Sequence, residues 1–165
     1  LPVKTLEAGD QLTIFDGRAE VLYPVELGDG SNNDSIVLYG RFYGWSFLFT
    51  GDLEEEGEKP LLARYPQLRV DVLKAGHHGS KGSSPPAFLE KIQAKIALIS
   101  AGEKNRYQHP HQETLERFKE LKMTVFVQTS KERFVLEGGI SGRLKPFDRS
   151  CLISSLKIAM IKSRK

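Results

Sequence analysis

The sequence predicts an α/β protein, a mixed β-sheet with flanking helices. In the first fifty residues, short alternating apolar runs are separated by turn sequences, a pattern typical of antiparallel strands. After residue 50, short apolar runs alternate with stretches of helical spacing, which is typical of strands joined by helices. The central unit, residues 45–82, places a helical stretch between two such runs, Trp45–Phe49 and Val70–Leu73. This order predicts a parallel pair of strands with a right-handed crossover.

Size and composition are those of an ordinary globular domain. The 165 residues can enclose a core, and 39% hydrophobic and 27% charged residues are typical values. The net charge of +3 only weakly favours a polyanionic partner. No apolar run is long enough to cross a membrane, and the start is not a signal peptide. The single cysteine, Cys151, excludes an intramolecular disulfide and a thiolate-rich zinc site.

The first fifty residues are predicted to form two hairpins. Asp16-Gly17 is a strong hairpin signal, and a second turn is expected near Gly40–Gly44. Pro24 ends the second strand or places it on a sheet edge. The stretch Gly28–Asp34 consists of turn residues throughout. The predicted strands are Gln11–Phe15, Ala19–Val25, Ser35–Tyr39 and Trp45–Phe49.

Three helices and four strands are predicted after residue 50. Pro60 lies inside the first helix and is expected to kink or split it. The second helix opens with prolines, and the third is amphipathic through Leu115, Phe118 and Leu121. The predicted helices are Glu54–Tyr65, Pro85–Ile92 and Gln112–Leu121. The predicted strands are Val70–Ala75, Ile96–Ser100, Thr124–Gln128 and Arg133–Leu136.

Residues 141–165 differ from the preceding domain, residues 1–140. Pro146 breaks any element before it, and basic residues follow a short apolar stretch. A terminal helix docked on the sheet and a frayed tail are both compatible with this composition. A basic helix lying on a membrane surface is a third alternative.

Every histidine and one aspartate follow three predicted strands of the central sheet. The four histidines form two close pairs, His77-His78 and His109-Pro110-His111, and Asp52 follows the strand Trp45–Phe49. The carboxyl ends of parallel strands share one sheet edge, so these side chains should converge. Imidazole and carboxylate groups are ligands of divalent metals. On an extended backbone adjacent histidines point opposite ways, so only one of His77 and His78 should ligate directly while the other handles substrate or protons.

Plainer interpretations stay open for each of these residues. Histidine pairs in loops are commonly surface residues, and Asp52 precedes a helical stretch where it could act as an N-cap. The Gly28–Asp34 loop is either only a loop or one that brings Asn33 and Ser35 towards a site. Neither a G-x-S-x-G elbow nor a phosphate-binding Gly-rich loop is present.

Four blocks of sequence resemble a known family. They are Asn33–Leu38 (NDSIVL), Phe47–Glu54 (FLFTGDLE), Asp71–Ser80 (DVLKAGHHGS) and Asn105–His111 (NRYQHPH). In this order and at these separations, they resemble the C-terminal metallo-β-lactamase-like domain of ComEC-type competence proteins, which import DNA. The resemblance covers roughly residues 5–138, with the GHHGS and TGDLE blocks the most specific.

The resemblance implies a four-layer αββα fold and metal-dependent hydrolysis of phosphodiesters, with two ions, Zn²⁺ or Mn²⁺, in the intact domain. It implies that Asp52 bridges the metals and that His77, or else His78, is the last histidine ligand. His109 and His111 match a motif for substrate or leaving-group handling, which the other member of the 77–78 pair could assist. Four further residues are expected to face substrate: Asn33, Ser35, Lys74 and Lys81. Lys74 and Lys81 could attract the DNA backbone, although each could equally be an ordinary surface lysine.

The sequence departs from the family pattern in three places. The H-x-H-x-D-H cluster of the first half is missing, since no histidine precedes His77. Gln108 stands where glycine is expected, and Gln128-Thr129-Ser130 stands where an acidic residue is expected. We therefore expect a fragment corresponding to the second half of the fold, possessing only part of the metal site or no metal at all.

Two functions remain open at this stage. One is part of a metal-dependent nuclease or phosphodiesterase in DNA uptake, inactive without its missing half. The other is a non-catalytic DNA-binding or channel-supporting domain of a competence membrane protein. In either case the expected partners are DNA, the missing half and a membrane channel, and the location is a soluble domain of a bacterial inner-membrane protein. A half-domain also exposes an apolar sheet face, which predicts self-association as a homodimer.

Overall fold

A single mixed sheet organises the computed structural model, which describes residues 5–14, 17–26, 28–102, 105–128 and 134–137. Its eight strands lie in chain order from one edge of the sheet to the other. They are β1 (Gln11–Ile14), β2 (Gly17–Tyr23), β3 (Val37–Phe42), β4 (Trp45–Phe49), β5 (Val72–Lys74), β6 (Ile96–Ser100), β7 (Thr124–Gln128) and β8 (Phe134–Glu137). The helices are α1 (Glu55–Arg64), α2 (Pro86–Ile92) and α3 (Gln112–Glu120). The predicted α/β class is confirmed.

Strands β1 to β4 are antiparallel, as the turn signals predicted. The turn between β3 and β4 is shorter than expected, because Gly40 continues the strand and pairs with Phe47. A Cβ atom at Gly40 would lie only 2.5 Å from the Phe42 ring. Gly40 is therefore a strand residue over which an aromatic ring packs, and interpreting it as a turn residue was wrong.

Strands β4 to β7 are parallel, and each is joined to the next through a helix. The register pairs Leu48 with Leu73, and Leu73 with Ala97. Helix α1 runs without a break through Pro60, so the predicted split does not occur. Buried residues on both sides of the proline, Glu58 and Leu61, anchor the helix, and this packing outweighs the lost hydrogen bond.

All three helices pack on one face of the sheet. That face carries the larger core cluster, which includes Leu48, Leu73 and Phe118. Alternate strand residues, such as Phe47 and Val72, form a second apolar cluster on the opposite face, where no described helical residue takes part. Self-association through that second face remains a prediction, to be tested by sedimentation at high concentration.

Helix α3 shows how its predicted apolar stripe is used. Phe118 is fully buried and Leu115 packs against the core, whereas Leu121 is 37% exposed just beyond the helix end. Thr114 of the same helix is fully buried, and the Thr114 hydroxyl donates a 3.0 Å hydrogen bond to the Ser80 carbonyl oxygen. The stripe is thus oriented by a polar contact that hydrophobic periodicity does not reveal.

The predicted tail, residues 141–165, lies outside the described residues. Within the part of the chain that the structure describes, no helix is long and apolar enough to cross a membrane.

Candidate metal and phosphodiester site

The carboxyl ends of β4, β5 and β6 meet at one edge of the sheet, as predicted. Asp52 follows β4, the 77–78 pair follows β5, and the loop after β6 carries the other two histidines. The His77 ring centroid lies 5.2 Å from that of His109, and His109 and His111 are 4.7 Å apart. The convergence of the histidines is confirmed, and it arises because parallel strands in register deliver their loops to the same place.

Asp52 and His78 form the closest carboxylate–imidazole pair of the predicted ligands. The His78 Nε2 atom lies 3.7 Å from Asp52 Oδ1, and the two side chains are 38% and 41% exposed. The other ring nitrogen, Nδ1, lies 2.6 Å from the Ser100 carbonyl oxygen. A carbonyl oxygen can only accept, so Nδ1 carries a proton and Nε2 of the neutral ring carries a free lone pair. A proton or a divalent cation could bridge Nε2 and the carboxylate.

His77 has a different partner, the carboxylate of Glu54. Its Nδ1 atom lies 2.9 Å from Glu54 Oε1, which also accepts a 3.2 Å hydrogen bond from the Ser80 hydroxyl. Neither His77 nor His78 is extended, contrary to the expectation, since their φ angles are 43° and 56°. The His77 N–H bond to the Gly51 carbonyl, 3.1 Å, ties this left-handed turn to the turn that carries Asp52. The two ring centroids lie 6.3 Å apart with planes inclined by 60°, an arrangement that the left-handed turn produces and strand alternation does not.

His109 is held neutral by its surroundings. Burial, followed by the neighbouring imidazoles of His111, His77 and His78, lowers the pKa of His109 below its ordinary value. The His111 Nδ1 atom accepts a 3.0 Å hydrogen bond from the Lys81 backbone N–H. When His111 is neutral its proton therefore lies on Nε2, which makes it a hydrogen-bond donor at that atom.

The Asn33 and Ser35 loop does reach the site, where both side chains support the turn after β4. The Ser35 hydroxyl accepts a 3.1 Å bond from the Asp52 N–H. The Asn33 Oδ1 atom accepts a 3.2 Å bond from the Glu54 N–H, and its Nδ2 donates to Glu56 at 3.1 Å. In the structure these side chains position the backbone of residues 52–54, and their contact with substrate stays a prediction.

The two predicted phosphate-binding lysines occupy unlike positions. Lys74 ends β5 inside the cluster, where burial lowers its pKa and the nearby Asp52 charge partly opposes this shift. The Lys81 side chain is exposed, and its backbone supports the site through the hydrogen bond to His111. Lys74 is therefore the lysine whose side chain lies near the Asp52 carboxylate.

Sequence reasoning missed three residues that shape the site. Glu54 sits on extended backbone two positions after Asp52, and its place in the TGDLE block could have identified it. Asn105 donates 2.7 Å bonds to the Gly102 and His109 carbonyl oxygens. Arg117 donates to the Lys81 and Ser83 carbonyl oxygens at 3.0 Å. The contacts of Arg117 join residues far apart in the chain, so no local sequence pattern predicts them.

The donor set fits one divalent ion in part. Both Asp52 Oδ1 and His78 Nε2 could reach an ion that lies about 2.0–2.2 Å from each, because they are 3.7 Å apart. The Ser100 carbonyl bonded to Nδ1 is the outer partner that orients a ligating histidine. Among the described residues, no group of three or more His, Cys, Asp or Glu side chains has the geometry to hold a metal.

Comparison with known proteins shows that this chain is similar in sequence to segments of competence proteins. It is 46% identical over 115 residues to ComE operon protein 3 of Bacillus subtilis, a match covering 69% of this chain and 15% of the relative. This chain is homologous to a segment of that protein. Competence protein ComA of Neisseria gonorrhoeae is 40% identical over 93 residues, covering 55% of this chain and 14% of ComA.

A third relative is Recombination protein 2 of Haemophilus influenzae, 39% identical over 94 residues, which covers 57% of this chain and 12% of that protein. The chain thus spans about one seventh of the length of the curated relatives that it matches. No family model matches the chain. The predicted similarity to competence proteins is confirmed at the level of these segments.

Proposed function

We propose that this chain contributes two metal ligands, Asp52 and His78, to a phosphodiesterase site that depends on a divalent metal. This site would act on DNA during competence. The observation that carries the proposal is the pairing of Asp52 Oδ1 with His78 Nε2, with the other His78 nitrogen tied to a backbone carbonyl. Similarity to Competence protein ComA supports DNA uptake as the setting. The resemblance of the GHHGS and TGDLE blocks to metallo-β-lactamase-like domains supports the reaction class.

In this proposal Asp52 and His78 hold Zn²⁺ or Mn²⁺. The ligand role expected for His77 passes to His78, because the His78 Nε2 atom lies 3.7 Å from Asp52 Oδ1. A bound ion would supply Lewis acidity and an activated water molecule, the usual contributions of metals to phosphodiester hydrolysis. Lys74 would donate a hydrogen bond to the phosphate near Asp52, and the exposed Lys81 would offset the phosphate's negative charge.

The two other histidines would act on the leaving group. His109, with its lowered pKa, would be neutral at pH 7 and would offer a hydrogen bond but no charge. His111, when neutral, carries its proton on Nε2 and could donate a hydrogen bond from that atom to a leaving oxygen. Asn33 and Ser35 would hold the turn that bears Asp52 and would affect the reaction through its position.

Two donors leave a metal short of ligands, so the proposal places the remaining ligands outside the described residues. Zinc in catalytic sites takes three protein ligands. The matched segments are 12–15% of their relatives, which leaves room for such ligands elsewhere in a longer protein. That protein would be a bacterial inner-membrane protein with a channel as partner of this domain.

The short ligand list also favours a second candidate, a DNA-binding domain without catalysis that supports the channel. The two candidates differ in metal binding, since only the first requires that Asp52 and His78 share an ion.

A Zn²⁺ and Mn²⁺ titration followed by NMR of the histidine rings tests the proposal. We expect His78 to shift first, and we expect Asp52→Asn to weaken the metal affinity by at least about 100-fold, because a direct ligand is lost. Asp29→Asn, a carboxylate in the exposed loop before β3, is the matched control and should titrate like the wild type. A His78 ring that ignores metal, or equal affinities in both variants, would refute the metal site and favour the binding candidate.

A further inference from the structure

An exposed tyrosine stands at the rim of the histidine cluster and plays no part in the core. Tyr107 is 58% exposed, the highest value among the exposed large hydrophobic side chains of the described residues. Its ring stacks against His109, with centroids 5.8 Å apart and planes inclined by 25°. An aromatic ring this exposed contributes little to folding by burial, and its place beside the site leaves it accessible to a ligand.

Arg106 extends this aromatic surface with a flat cation. Its guanidinium carbon lies 4.7 Å from the Tyr107 ring centroid, and its Nη2 atom donates a hydrogen bond to the tyrosine hydroxyl. The guanidinium is exposed and lies over the ring, so its outer face stays available to a third planar group while the tyrosine supports it from below. Together, the side chains of Arg106 and Tyr107 form what we call the aromatic rim.

The backbone under the aromatic rim is rigid. The Asn105 side chain accepts a 2.8 Å bond from the His109 N–H and donates a 2.7 Å bond to the His109 carbonyl oxygen. The Asn105 carbonyl oxygen accepts the Gln108 N–H at 3.1 Å, which closes the turn that carries both rim residues. A ligand would therefore meet a preorganised surface and would lose little affinity to loop ordering.

The aromatic rim and the histidine cluster together favour a ligand in which a planar group is joined to an anion. Nucleobases of single strands stack on aromatic rings and on arginine planes, whereas duplex bases are covered by their neighbours. The phosphate attached to such a base would lie towards the histidine cluster, because the Tyr107 ring itself stacks against His109. The aromatic rim and the proposed phosphodiester site thus fit two parts of one nucleotide.

We propose that Arg106 and Tyr107 form a stacking platform for one nucleobase of single-stranded DNA, and that this platform gives the site a preference for single strands over duplex. This inference rests on the proposed function and names its substrate class. It assigns to the NRYQHPH loop a base-binding role beside the roles proposed for its histidines.

Binding of fluorescein-labelled oligothymidylate of about twelve nucleotides, measured by anisotropy in EDTA, tests the platform without any need for catalysis. Tyr107→Ala should weaken this binding by about 5-fold or more, the usual effect of losing one stacked base. Tyr107→Phe, which keeps the ring, should bind within about twofold of the wild type. Tyr43→Ala removes a tyrosine that is 52% exposed at the opposite end of β4 from Asp52, and it should have no effect.

An abasic strand of equal length separates stacking from charge attraction, because it keeps the phosphates and lacks the bases. The platform predicts that wild-type protein prefers the oligothymidylate over the abasic strand and over a duplex, and that Tyr107→Ala reduces both preferences. If wild-type protein binds single strands but Tyr107→Ala binds them equally well, the platform is refuted and the proposed function stands. If wild-type protein binds none of the three probes, DNA is not its substrate and both proposals fail.

Discussion

Replacing Glu58 with glutamine should raise stability by less than about 1 kcal/mol at pH 5 and by on the order of 5 kcal/mol at pH 9. Glu58 lies in α1 and is 1% exposed. Its two carboxyl oxygens share a single donor, the Ser84 N–H, at 3.0 and 3.1 Å. Glutamine keeps an acceptor for that donor and cannot ionise. Urea denaturation at pH 5, 7 and 9 measures the difference in the free energy of unfolding.

The sign follows from the raised pKa of the buried carboxyl. Burial raises the pKa of Glu58 from 4.5 to about 8, with Glu55 and Glu54 adding to the shift, and the Ser84 N–H and Arg117 opposing it. Below about pH 4.5 the group is protonated in both the folded and the unfolded state. Between about pH 4.5 and pH 8 only the unfolded state releases the proton, so the stability of the wild type falls with rising pH.

The matched control for this experiment is Glu55→Gln on the same helix. Glu55 is about half exposed and pairs with Lys59 four residues later, so its loss should change stability by less than about 0.5 kcal/mol at every pH. A wild-type stability that does not fall between pH 5 and pH 9 relative to Glu58→Gln would show that Glu58 is ionised in the folded protein.

Gly76→Ala should destabilise the protein by about 3 kcal/mol and should also weaken metal binding at the candidate site. A Cβ atom at this position would overlap the Leu53 carbonyl oxygen and would lie 3.3 Å from both Ser83 Cβ and Thr50 Oγ1. Backbone atoms cannot rotate away as a side chain can, so the two turns must separate. Leu53 follows Asp52 and Gly76 precedes His77, so this separation would displace both ligand-bearing turns. Urea denaturation and the NMR metal titration report the two effects.

Gly102→Ala serves as the comparison for Gly76. A Cβ atom there would come no closer than 4.0 Å to its nearest neighbour, Asn105 Cβ, and the backbone is not left-handed. This variant should therefore retain both stability and metal affinity. Wild-type stability in Gly76→Ala would mean that the approach of the two turns is looser than the structure indicates.

Several elements could be predicted from the sequence to the residue. Strands β4, β6 and β7 begin and end at the predicted positions, because each is a short apolar run closed by small or polar residues. Helix α1 was located correctly, yet its continuity through Pro60 was not, since local propensity there yields to the packing of the core.

In the candidate site, too, some features follow from the order of the residues in the chain and others from tertiary contacts. By itself the sequence determined that Asp52 and all four histidines follow neighbouring strands, and parallel strands must deliver such residues to one edge. Only the tertiary structure decided that Asp52 meets His78 while His77 meets Glu54, since this depends on a left-handed turn that no periodicity encodes.

The same holds for Glu58, whose sequence context indicates a solvated helix residue. In the structure it is buried and bonded to Ser84, which is 26 positions away in the chain. Local patterns report what each residue offers to its neighbours along the chain. Burial, protonation and partner choice depend on groups that are distant in the sequence, and the packed fold alone brings them into contact.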